Sequence, residues 1–195
     1  IFIFFTVTFV GSAQIYTEKE ISIAINKSKK DSVSIQLLYS NIRDIGLYLP
    51  KAGLVLTDSL LKISKEVNDR RGVISAYNMY GQLYSQIGEY ELAFDHYFKS
   101  IAYGQKHIEH RGTNEVWDKH GCSLYYIGAL YLELGEVETA LEYYNKSKEI
   151  FSIVDDNLLS KEKKSNDALY RDYTTYLFDK VTVEIGYLQC LFELK

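Results

Sequence analysis

Residues 76–100 and 123–147 are two copies of one pattern, 47 residues apart and aligned without a gap. Gly81 falls on Gly128, Tyr84 on Tyr131, Gly88 on Gly135, Ala93 on Ala140, Tyr97 on Tyr144 and Ser100 on Ser147. Repetition at such a period restricts a chain to stacked copies of one supersecondary unit, each burying its apolar face against the next. The unit is legible. Apolar residues recur at helical spacing on both sides of Gly88 and Gly135, which predicts two amphipathic helices packed as a hairpin. Small residues are wanted where the two backbones come close, and Gly81, Gly128, Ala93 and Ala140 supply them. Gly88 and Gly135 stand where the first helix must stop, a place where a positive φ costs glycine least. Tyr84 and Tyr131, three residues past the packing glycine, lie on its face and fill the gap between helices.

The order of these residues resembles the tetratricopeptide repeat (TPR) family. Tyr77, Tyr80-Gly81, Tyr84, Gly88, Tyr90, Ala93, Tyr97 and Ser100 follow its pattern in one copy, and Leu124, Ile127-Gly128, Tyr131, Gly135, Val137, Ala140, Tyr144 and Ser147 in the other. The resemblance implies an all-α fold, a right-handed superhelix of antiparallel helix pairs (an α-solenoid). It says little about function, because the same scaffold presents surfaces to many partners.

Composition agrees with a helical domain of this size. The 195 residues suffice for one domain with a core, and a single Pro leaves long helices uninterrupted. Of the 18 tyrosines, many fall on the repeated positions. A formal charge of −4, with no run of Lys or Arg longer than two, argues against nucleic acid, whose backbone demands a basic face.

Residues 1–10 are apolar and too short to span a bilayer. Gly11-Ser12-Ala13 follows with the small residues of a cleavage site, so residues 1–13 read as part of a secretory signal peptide, ahead of Gln14. That predicts an exported, periplasmic chain; a buried strand is the competing reading, and without the signal the chain would be cytoplasmic. The Ala-Gln junction resembles exported proteins of the Bacteroidetes. Residues 14–30 are a polar segment or a short helix. Residues 31–195 then form the repeat domain, with units at about 32–67, 73–108 and 117–154 and a partial one at 166–195.

The first unit is degenerate. Ala52, Leu56 and Ser59 take the spacing of Ala93, Tyr97 and Ser100, with Ser40 in place of the packing glycine and Pro50 in the first turn of its second helix. The resulting intervals, 41 and 47 residues, exceed the TPR length of about 34. Loops are expected at residues 68–72, 107–114 and 155–166. Residues 168–194 are periodic through Leu169, Tyr173, Tyr176, Leu177, Val181, Ile185, Leu188 and Leu191, the first helix of a fourth unit whose uncovered apolar face invites continuation of the chain or a homodimer. Gly186 fits the packing register imperfectly.

Catalytic, cofactor and metal roles find no support in the residue pattern. His107, Glu109, His110 and His120 lack the His-Glu-x-x-His spacing of a helical zinc site, and a solvated loop is the simpler reading. Cys122 and Cys190 are read as packed thiols, with a disulfide as the alternative in an exported chain. Asn145-Lys-Ser is a sequon only in letters, since it falls within a helical pattern. No membrane span is expected.

The TPR resemblance places the first helices of successive units along a concave groove, at Asn78, Gln82, Ser85 and Gln86 and then at Cys122, Tyr125, Ala129, Leu132 and Glu133. The Lys, Asn and Arg set with which some TPRs hold a peptide carboxylate is missing. Amides beside an aromatic instead imply a protein or peptide held through its backbone and buried area. The expected function is therefore peptide binding, in the exported sensory part of a bacterial signalling protein. The alternatives are a cell-envelope assembly scaffold or accessory repeats of an enzyme.

Overall fold

The computed structural model describes residues 32–108, 114–159 and 167–194, and every element among them is a helix. In chain order they are α1 (Ser32–Gly46), α2 (Pro50–Glu66), α3 (Arg70–Gln86), α4 (Tyr90–Ile108), α5 (Asn114–Glu133), α6 (Val137–Leu159) and α7 (Asp167–Glu193). The segments read as signal peptide and polar linker lie outside the described residues, as do residues 109–113 and 160–166 within the expected loops. No helix among the described residues is long and apolar enough to cross a membrane.

The turns between helices follow from local chemistry. After α3, the Glu89 amide donates to the Tyr84 carbonyl at 2.9 Å and the Gly88 amide to Ser85 at 2.9 Å, while Gly88 holds φ +79°. After α5 the same arrangement returns, Glu136 to Tyr131 at 2.9 Å and Gly135 to Leu132 at 3.0 Å, with Gly135 at φ +80°. These are Schellman caps, which satisfy carbonyls that the ending helix leaves open. Asn68 does the same work after α2 at φ 57°, a conformation Asn tolerates better than most side chains. Asp69 then caps α3, its carboxylate accepting the Gly72 amide at 3.1 Å. The expected loop at residues 68–72 is thus shorter, because this cap starts α3 at Arg70. Likewise α4 carries His107 within its last turn, and α6 continues through Asp155 and Asp156 to Leu159.

Each helix packs on the next, and the first helices of the pairs also touch in succession, α1 on α3, α3 on α5 and α5 on α7. The core is correspondingly divided along the chain. Ile35, Ile42, Leu60, Ala76 and Leu83 form one cluster across α1 to α3. Ala93, Tyr97, Ile127 and Leu130 form another between α4 and α5. Cys122, Ala140, Tyr144, Phe151, Val183 and Cys190 form the third across α5 to α7.

The 47-residue shift is visible at single hydrogen bonds. Ser100 Oγ donates to the Ile74 carbonyl at 3.2 Å, and Ser147 Oγ to the Gly121 carbonyl at 2.8 Å, one bond displaced by one interval. Tyr97 lies over Gly81, where a Cβ would stand 2.3 Å from the ring; Tyr144 lies over Gly128, where it would stand 3.2 Å away. The first pair departs from this. Its second helix starts at Pro50 as the others start at Tyr90 and Val137, so Gly53, Thr57 and Leu60 stand at the places of Ala93, Tyr97 and Ser100. The sequence reading was therefore one residue out of register with Ala52, Leu56, Ser59 and Ser40. Gly53 explains why: a Cβ there would stand 3.0 Å from the Gly46 Cα and 2.9 Å from Leu83, so glycine suits this close crossing. Thr57 turns its hydroxyl back to the Gly53 carbonyl at 2.8 Å instead of filling a ring-sized gap.

Candidate functional site

The concavity of most interest lies between α5 and α7. Tyr125, Ala129, Leu132 and Glu133 line it from α5, Thr182, Ile185, Gly186 and Gln189 from α7, and Tyr144 of α6 closes its floor. Its volume is about 320 Å³, the size of a site for one or two side chains.

Tyr144 fixes the spacing of the walls. It is fully buried, and a Cβ on Gly186 would stand 2.5 Å from its ring. A glycine on α7 is what lets that helix come down onto the tyrosine. Gly186 is therefore a packing glycine, although it packs on the preceding pair. Burial holds the Tyr144 hydroxyl protonated, raising its pKa well above the ordinary value. Tyr125 stands half-buried above it, ring centroids 5.8 Å apart at 45°, and meets Tyr126 edge-on at 5.3 Å. Tyr126 in turn stacks on Tyr97 at 5.7 Å. The wall that Tyr125 forms is thus braced by a chain of rings reaching α4.

Four of the expected groove residues, Tyr125, Ala129, Leu132 and Glu133, share this cleft. Those on α3 do other work. Asn78 is 2% exposed, and its Nδ2 donates to the Lys119 carbonyl at 3.4 Å, so the amide nitrogen ties α3 to α5 while the buried Oδ1 has no hydrogen-bond partner among the described residues. Gln86 is exposed and donates from Nε2 to the Leu47 carbonyl at 2.8 Å, bracing the first turn. Gln82 and Ser85 are half-buried on α3 and are absent from the cleft lining. Cys122 is buried in the third core cluster, whereas Glu133 is exposed at the cleft and accepts a hydrogen bond from the Tyr90 hydroxyl at 3.1 Å.

No family model and no curated protein matches this chain. The site is therefore read from its own geometry. Sequence reasoning missed Tyr144 and the whole α7 wall. The signal was the spacing of Val183, Tyr187 and Cys190, which pack toward α5 and α6, beside a more apolar stripe that draws the eye first. Val183 and Cys190 are buried, whereas Val181, Ile185 and Leu188 are 56%, 60% and 60% exposed.

The other candidates for chemistry separate. His107 packs against Tyr103, ring centroids 4.4 Å apart, in α4. His120 is buried in α5, where a Cβ on Gly104 would stand 2.9 Å from its Nδ1, and burial pushes the imidazole down to about 4. His110 lies outside the described residues. Cys122 and Cys190 form no disulfide and are buried in one cluster, and burial raises the Cys190 pKa. No group of three or more His, Cys, Asp or Glu among the described residues is placed to hold a metal ion. His96 sits between rings, stacked 4.6 Å from Tyr80 and 5.3 Å from Tyr84, and burial, then Lys99, lowers its pKa.

Proposed function

We propose that this chain is a protein- or peptide-binding module of the TPR kind, its helix pairs winding as a right-handed α-solenoid and its ligand held along the first helices. The observation that carries the reading is the cleft between α5 and α7, where Tyr125, Ala129 and Leu132 meet Ile185 and Gln189 over the buried Tyr144. An aromatic wall, an aliphatic wall and one amide suit an apolar side chain whose neighbouring backbone needs a hydrogen bond. The reading of residues 1–13 as part of a signal peptide supports export, and an exported module of this kind suits the sensory part of a signalling protein.

Panning a random peptide library on the folded chain supplies ligands. Replacing Tyr125 by Ala should weaken them about tenfold, the loss of an aromatic anchor with little change in helicity by circular dichroism. Unchanged affinity at retained helicity defeats the groove assignment.

A further inference from the structure

The cleft does not end at its own lining. Ile185 belongs both to it and to a seam along α7, Val181, Ile185, Leu188 and Phe192, spaced four, three and four residues apart. All four are exposed, Phe192 at 77%. Such spacing keeps side chains in one straight row over three turns, about 16 Å of helix. A ridge of this kind accepts another helix, whose side chains pack beside it.

Charge around the row selects the occupant. Among the described residues, Glu133 is the one charged residue lining the cleft. Glu193 is exposed beside Phe192, and Glu136 is exposed just past the turn that follows Glu133. Lys148 is engaged elsewhere, 3.0 Å from Glu184 and 3.8 Å from the Tyr187 ring centroid. Resting on the peptide-binding reading above, the geometry points to a basic amphipathic helix as the ligand. Its apolar face lies along Val181 to Phe192, one large side chain enters the cleft beside Tyr125, and its Lys or Arg residues meet Glu133 and Glu193.

The test uses two fluorescein-labelled model helices of one pattern, a Lys/Leu/Phe peptide and its Glu/Leu/Phe counterpart, titrated onto the whole chain by anisotropy. The basic helix should bind at least about tenfold more tightly. Ile185→Asp should abolish its binding and Glu133→Gln weaken it severalfold; both side chains are exposed, so these variants keep the fold. Equal binding of both helices, or indifference to Glu133→Gln, overturns the inference while leaving peptide binding intact. Failure of both helices with sedimentation showing a dimer that Ile185→Asp dissociates overturns it in favour of a second copy. Library panning that enriches neutral or acidic peptides dependent on Tyr125 refutes the basic ligand alone. No enrichment of any peptide defeats both readings.

Discussion

Gly81 and Gly128 occupy one repeated place yet differ in how much room surrounds them. A Cβ would stand 2.3 Å from the Tyr97 ring at Gly81, but 3.2 Å from Tyr144 and the Ala140 carbonyl at Gly128. In a helix interior Ala is favoured over Gly by about 1 kcal/mol, whereas overpacking a core costs about 1–3 kcal/mol. Gly81→Ala should therefore destabilise by up to about 2 kcal/mol and Gly128→Ala by clearly less, read as midpoints of urea unfolding. Equal losses would show that the Tyr97 ring moves aside freely. His120 makes a second prediction. Its folded pKa of about 4 lies below the ordinary 6.5 of the unfolded chain. The neutral ring thus favours folding fully above about pH 6.5, and this contribution is lost as the pH falls toward 4. Between about pH 7.5 and about pH 5 the wild type should lose about 2 kcal/mol more than His120→Gln. Parallel profiles for the two proteins would refute the assignment.

Among the elements, α7 shows best how one small residue positions a wall of the cleft. Its main packing is on α5 and α6, through Val183, Tyr187 and Cys190, with Gly186 laid on Tyr144. Gly186→Ala puts a methyl 2.5 Å from that buried ring, so α7 or the ring must shift, and a displaced α7 is the expected outcome. Amide hydrogen exchange should then rise along residues 180–194 and stay unchanged in α1 to α4, since contacts pass from neighbour to neighbour. Uniform acceleration over the whole chain would show a cooperative unit instead. The helix ends were easier to read than this docking. Gly88 and Gly135 are legible because a positive φ is a local demand that one residue type answers. The register of α2 was misread because Ala52 and Ser59 match by letter, whereas Gly53 matches by closeness to Gly46, a contact between two helices.

For the whole molecule, the sequence by itself determined the helical pairs of residues 76–100 and 123–147, their stopping glycines and the small residues between them. Helical period, turn conformation and the size of a side chain facing its own hairpin partner all act over a few dozen residues, so they are written locally. Tyr125, Ala129 and Leu132, which the TPR resemblance named, do line the cleft. Only the tertiary structure decided that Asn78 is spent on the Lys119 carbonyl, since a buried amide takes whatever partner the next pair brings. It also decided which face of α7 is buried. Its more apolar stripe yields to Val183, Gly186 and Cys190, because Tyr144 leaves room only for small side chains at the closest approach. That contest between hydrophobicity and shape is settled by a residue some forty positions away, and no reading of α7 alone contains it.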